Sequence, residues 1–175
     1  LMVEFSKKFS VIGFDINASR VNNLKNLIDE TMEVAAKDLV AIKDNVYSNS
    51  TFLENKDFFI VTVPTPINEN KSPNIQALES ACSMIGNYLK QGNCVIFEST
   101  VYPGLTEEIC IPILEKTSNL KLNRDFSVGY SPERINPGDK QRKLPQIVKI
   151  VSASNPKALK QVDQLYSSII TAGTH

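Results

Sequence analysis

The chain has 175 residues, 42% of them hydrophobic and 22% charged, enough for one domain with a substantial core. Nineteen basic and nineteen acidic side chains cancel, which gives no ground for a nucleic-acid or anionic-membrane partner. Apolar runs stay well short of the ~20 residues that cross a bilayer, and three cysteines without a CxxC pair, with one histidine at the last position, argue against a metal site. The sparse, odd cysteine count fits a reducing compartment, so a cytoplasmic location is expected. Cys82, Cys94 and Cys110 read as buried core thiols.

Along the chain, Met2, Phe5 and Phe9 at helical spacing mark Leu1 to Lys8 as the end of a helix. Val11 to Phe14 reads as a strand. Asn17 is a candidate N-cap for a helix in which Val21, Leu24, Leu27 and Ile28 share a face, and Met32 to Ile42 reads as a second, weaker helix. Asp57 to Val63, "DFFIVTV", is a continuous apolar run of the kind buried on both faces of a parallel sheet. "PTP" stops it, because proline cannot donate to a ladder, and 64–73 reads as a loop. Ile75, Leu78, Cys82, Ile85 and Leu89 set a helix over Asn74 to Leu89. Asn93 to Phe97 is another strand. A helix begins at Thr106 with Glu107 and Glu108 in its positive first turn, and Pro112 should bend it. Phe126 to Tyr130 and Ile147 to Val151 read as strands, with a solvated loop at Lys140 to Lys143. Asn155-Pro156 is a cap followed by proline at the first helical position, with Leu159, Val162, Tyr166 and Ile169 as the buried face. Alternating strands and helices predict an α/β fold, doubly wound around a mostly parallel sheet.

In such sheets ligands gather at the carboxyl ends of the strands. Asp15 ends the first predicted strand. An acid there either accepts hydrogen bonds from an adenosine ribose and repels a 2′-phosphate, or is a surface turn residue. Arg20 could lie beside the ribose or accept a 2′-phosphate instead. "VPTPI" (Val63 to Ile67), "ESTVYPG" (Glu98 to Gly104) and "YSPERINPG" (Tyr130 to Gly138) also follow strands, and each joins hydroxyls or acids to prolines that stiffen the loop. Three such loops on one edge favour a site over plain turn chemistry. Glu133 could position or deprotonate water, or pair with Arg134 or Arg142. Thr100 could bond a cofactor or a reacting water, or cap its strand.

These stretches, with "VEFSKKFSVIGFDIN" and "TAGTH", resemble the UDP-glucose/GDP-mannose dehydrogenase family, and within it the UDP-N-acetylhexosamine 6-dehydrogenases. The resemblance covers essentially the whole chain and implies a Rossmann-type NAD-binding domain over residues 1–175. It implies two successive NAD-dependent oxidations at C6 of a UDP-sugar, alcohol to aldehyde to acid, through a cysteine thioester, for surface polysaccharide precursors. By position, Asp15 and Arg20 would hold the adenosine end of NAD, and Val63, Pro64, Thr65, Ser99 and Thr100 would contact the cofactor further along. Thr100 and Glu133 would assist the water that hydrolyses the thioester. Glu133, Arg134, Ile135 and Asn136 would shape the sugar site. The family's opening strand with its GxGxVGLP-like loop, its nucleophilic cysteine in a "GxCxP" stretch, its central helix and its UDP-binding domain have no match here. Cys110 in "EICIPILE" echoes the cysteine motif only superficially. The expectation is therefore a fragment, poorly stable and catalytically silent by itself, from a homodimeric enzyme. A single-step β-hydroxyacid-type dehydrogenase and a non-catalytic NAD-binding module are the competing readings.

Overall fold

In a computed structural model of the protein, residues 1–132 and 144–175 are described; they divide into two compact units. The first unit holds Leu1–Glu54. Helix α1 (Met2–Ser6) precedes strand β1 (Gly13–Phe14), which pairs in parallel with β2 (Val46–Tyr47). Helices α2 (Ala18–Lys25) and α3 (Ala36–Leu39) lie between those strands in the chain. Phe5, Val21, Leu39, Ile42, Val46 and Leu53 are its buried apolar side chains. A Cβ at Gly13 would sit 2.7 Å from the Met2 sulfur and 3.2 Å from Val46 Cγ1, so a side chain there would displace the flexible end of Met2.

Asn17 caps α2 as expected, its Oδ1 accepting the N–H groups of Ser19 at 3.0 Å and Arg20 at 3.2 Å. The rest of this unit departs from the periodicity. Strand β1 is two residues long rather than four. Helix α2 stops at Lys25, because Leu27 takes φ +63°, and Ile28 is exposed. The helix expected over Met32 to Ile42 contracts to the single turn α3. Ahead of it Asp29 accepts the N–H groups of Thr31, Glu33 and Val34, winding that stretch into a loop that competes with helix. Met32 is left 87% exposed with φ +55°.

The second unit takes in the described residues from Asn55 to Pro132 and Pro145–His175. Its sheet runs in the order β3 (Phe58–Val61), β4 (Cys94–Phe97), β5 (Ser127–Tyr130), β6 (Ser152–Ala153). The first three are parallel and in step, with Val61 opposite Phe97 and Phe97 opposite Tyr130; β6 is antiparallel to β5. Helix α4 (Gln76–Gly86) joins β3 to β4. A π-helical turn, Thr106–Cys110, runs into α5 (Ile111–Ser118) between β4 and β5. Two successive β-α-β crossovers make this the Rossmann-type α/β fold. Every residue of β4 is buried, so both faces of the sheet are covered at its centre. Helix α6 (Pro156–Ser167) approaches β5 at Gly129, where a Cβ would lie 3.0 Å from Val162.

Four expectations change here. Strand β3 alternates, with Phe59 and Val61 buried and Phe58 and Ile60 only partly so; it is not buried on both faces. Pro112 is the second residue of α5, and because the π-helical turn Thr106–Cys110 runs directly into that helix, the irregularity lies in the turn just before the proline. Ile147 to Val151 is not a strand of the sheet: Lys149 bridges Thr174 in parallel, and the sheet strand is the next pair, β6. On α6 the buried side chains are Ala158, Val162 and Tyr166, while Leu159 is 40% exposed.

Candidate functional site

Asp15 follows β1 at its carboxyl end. Its N–H donates to the Tyr47 carbonyl at 3.1 Å, extending the strand pairing by one bond. Its Oδ1 accepts the Asn17 N–H at 2.8 Å, and Arg20 Nε stands 3.5 Å from Oδ2. Both side chains of this ion pair are 39% exposed. At that exposure the pair contributes under about 1 kcal/mol, so a ribose diol could displace it at small cost. A part-exposed carboxylate at a parallel strand end suits the adenosine end of NAD.

The second unit carries the other half of the expected residues. Because β3, β4 and β5 are parallel and in step, their following segments emerge on one edge. Thr62, Val63, Pro64 and Thr65 after β3, with Glu98, Ser99 and Thr100 after β4, line an open cleft of about 210 Å3. Two hydroxyls fix these segments to each other. The buried Ser99 donates to the Val63 carbonyl at 2.7 Å, and Thr65 donates to the Thr100 carbonyl at 2.6 Å. Proline at 64 leaves the strand without a further donor. The cleft is thus a notch edged with hydroxyls and backbone carbonyls, suited to accept hydrogen bonds from hydroxyl or amide groups of a dinucleotide. Val63, Pro64, Thr65, Ser99 and Thr100 all lie in it. Glu133, Arg134, Ile135 and Asn136 lie outside the described residues.

Sequence reasoning missed the polar cluster behind this cleft. The Lys149 side chain is 1% exposed, and its Nζ donates to Glu98 Oε2 at 3.0 Å and to the carbonyls of Ser131 at 3.3 Å and Pro132 at 3.2 Å. The hydroxyl of Tyr166, from α6, donates to the other carboxylate oxygen, Oε1 of Glu98. Burial, with the adjacent Glu98 charge and hydrogen bond, pushes the Tyr166 phenol well above its ordinary range. The sequence pattern points the other way, with the apolar pair Val148 and Ile150 expected inside and the lysine outside. In "QIVKIVS" strand alternation puts Lys149 on the face opposite Val148 and Ile150, and these two are 50% and 38% exposed. The apolar pair faces out and the lysine faces in.

Cys82, Cys94 and Cys110 are all buried, as expected of core thiols. Burial pushes the Cys94 thiol up. Cys110, 1% exposed, is out of reach of a substrate. Among the described residues, no helix is long and apolar enough to cross a membrane.

Comparison with known proteins agrees with this geometry. The profile of the UDP-glucose/GDP-mannose dehydrogenase family, NAD binding domain, matches residues 2–170. UDP-N-acetyl-D-glucosamine 6-dehydrogenase of Pseudomonas aeruginosa is 52% identical over 176 aligned residues, covering 100% of this chain and 42% of that protein. Protein CapL of Staphylococcus aureus is 47% identical over 99% of this chain and 41% of its own length. Among solved structures, a UDP-D-ManNAc dehydrogenase from Pyrococcus horikoshii superimposes with TM-score 0.87 at 26% identity, over 99% of this chain and 42% of that one. The chain therefore spans well under half the length of these relatives. With a Rossmann-type sheet, strand-end loops of the family's pattern and a profile match over nearly its whole length, the chain belongs to the UDP-glucose/GDP-mannose dehydrogenase family, as its NAD-binding domain.

Proposed function

We propose that the full-length protein is an NAD-dependent 6-dehydrogenase of a UDP-N-acetylhexosamine, supplying a uronic acid precursor for surface polysaccharide. The observation that carries this reading is the 52% identity, over the whole chain, to a UDP-N-acetyl-D-glucosamine 6-dehydrogenase. Residues 1–175 form the NAD-binding domain, and the UDP-binding domain and central helix lie elsewhere in the protein. The enzyme is a cytoplasmic homodimer.

In this reading Asp15 accepts hydrogen bonds from the ribose hydroxyls, and Arg20 flanks the adenosine. The notch formed by Val63, Pro64, Thr65, Ser99 and Thr100 holds the cofactor further along. Bound NAD supplies a hydride acceptor for C6. Thr100 orients water through its hydroxyl, and Glu133 takes a proton from that water. Arg134, Ile135 and Asn136 shape the sugar site. Alcohol to carboxylate removes four electrons, so each sugar reduces two NAD and consumes one water.

The test is turnover of the full-length protein with UDP-N-acetylglucosamine, UDP-N-acetylgalactosamine and UDP-glucose. The expected result is two NADH formed per sugar consumed, with a uronic acid product by mass spectrometry. One NADH per sugar, or turnover of none of the three, overturns the reading.

A further inference from the structure

An ammonium with almost no solvent contact needs an acceptor for each of its three protons. Lys149 has three: the Glu98 carboxylate and the carbonyls of Ser131 and Pro132. Glu98 belongs to the segment that leaves β4, and Ser131-Pro132 to the segment that leaves β5. The β4–β5 ladder ends just before this point, with Phe97 opposite Tyr130 and a last bond from the Ser131 N–H to the Phe97 carbonyl at 2.9 Å. Beyond that bond, among the described residues, Lys149 bridges the two segments, and the Tyr166 hydroxyl also reaches both, through Glu98 and Ser131.

The lysine is itself anchored. Its N–H donates to the Gly173 carbonyl at 3.2 Å, and its own carbonyl accepts the His175 N–H at 3.0 Å. Tyr166 holds the opposite oxygen of Glu98, and the Ser131 hydroxyl donates to the Ile150 carbonyl at 2.6 Å. Every member of the cluster is therefore fixed from two sides. An apolar core at this place would stabilise the fold at least as well as a buried ion pair, so stability alone does not account for the charges. What the charges add is direction: one point fixes the relative position of two strand-end segments. Glu98 lines the cleft two residues before Thr100, and Pro132 is followed in the chain by Glu133.

We propose that Lys149 is a positioning residue, which sets the Glu98–Thr100 segment against the Ser131–Pro132 segment and so holds Thr100 in place at the reacting centre. Glu98 and Tyr166 orient the lysine. The inference rests on the reading of the site given above.

The experiment uses the full-length protein in three forms: wild type, Lys149→Met, and Lys149→Met combined with Glu98→Gln. The double variant removes both charges together and keeps an acceptor for Tyr166, so it avoids leaving a lone buried carboxylate. Thermal unfolding, NAD affinity and steady-state turnover of UDP-N-acetylglucosamine are measured on each. The expected result is a double variant that melts cooperatively and binds NAD within about threefold of wild type. Its kcat falls roughly 10- to 100-fold, the usual scale for a displaced catalytic group, while KM changes little. A folded double variant with kcat within about twofold of wild type overturns the proposal. Loss of the folded state in both variants assigns the cluster to stability alone and also overturns it. A wild-type protein that binds no NAD and turns over no UDP-sugar overturns the reading of the site itself, and this inference with it.

Discussion

Asp15 has two neighbours that pull in different directions. The Asn17 N–H ties one oxygen to the start of α2, and Arg20 partly neutralises the other. The acid therefore remains a fixed acceptor while a cation stands ready beside it. Replacing it leaves the cation alone, which argues a specific outcome for Asp15→Ser. NAD affinity should fall about tenfold, the scale of one hydrogen bond to a charged group. NADP should lose less or gain, because its 2′-phosphate no longer meets a carboxylate and can pair with Arg20. Fluorescence titration with NADH and NADPH reads both; an unchanged NADH-to-NADPH preference would remove Asp15 from the ribose site. Asp29 has a different task. Burial, the largest single influence, pushes its carboxyl up, but the N–H groups of Val34, Thr31 and Glu33 and the Thr31 hydroxyl together bring it below its ordinary value. A folded-state pKa below the unfolded value of about 3.9 gives stability that is present above about pH 4–5 and lost as pH falls through the folded value. Asp29→Asn should therefore lower the melting temperature at pH 6, and the gap from wild type should close below about pH 4. A gap that is constant from pH 6 to pH 3 contradicts this account.

At the scale of elements, close packing of α4 on α5 depends on one missing methyl. A Cβ at Gly86 would stand 2.6 Å from Thr117 Cβ, an atom tied to the backbone of α5. Neither helix can yield locally, so Gly86→Ala should destabilise by about 1–3 kcal/mol through overpacking, despite the better helix propensity of alanine. Urea denaturation checks it, and a stabilised variant would show that the two helices move apart freely. Helix α4 is also where sequence reading worked best. Leu78, Cys82 and Ile85 recur at the helical period, and all three are buried. The Asn155-Pro156 start of α6 was legible for a local reason: the Asn155 side chain accepts the Ala158 N–H at 2.9 Å. What escaped was decided by distant partners. Strand β2 is two residues long and exists because Gly13 and Phe14 pair with it; two residues carry no period. Strand β6 likewise owes its place to Gly129 and Tyr130. In the candidate site, the strand-end loops around Thr65 and Thr100 could be found from their prolines and hydroxyls. Lys149 could not, because nothing in a sequence says that Glu98, 51 residues away, will neutralise a buried ammonium.

For the whole protein, the assignments at Asp15 and at Thr100 make separable claims that unfolding can read. Any ligand that binds only the folded state raises stability by RT ln(1 + [L]/Kd), about 2.7 kcal/mol at a hundredfold excess over Kd. AMP presents only the adenosine end of the cofactor, and NAD presents the adenosine end with the polar middle and nicotinamide. Both should raise the melting temperature of the full-length protein in proportion to the logarithm of their concentration, with NAD acting at lower concentration. Asp15→Ser should weaken the AMP shift and the NAD shift together, since the lost acceptor serves both ligands. Thr100→Ala should leave the AMP shift intact and reduce only the additional shift that NAD gives, because that residue is assigned to a part of the cofactor that AMP lacks. Differential scanning of the wild type and these two variants, each with AMP and with NAD, gives the pattern directly. If Thr100→Ala weakens AMP as much as NAD, the cleft after β3 and β4 holds the adenosine end instead, and the roles given to Asp15 and Arg20 must be reassigned.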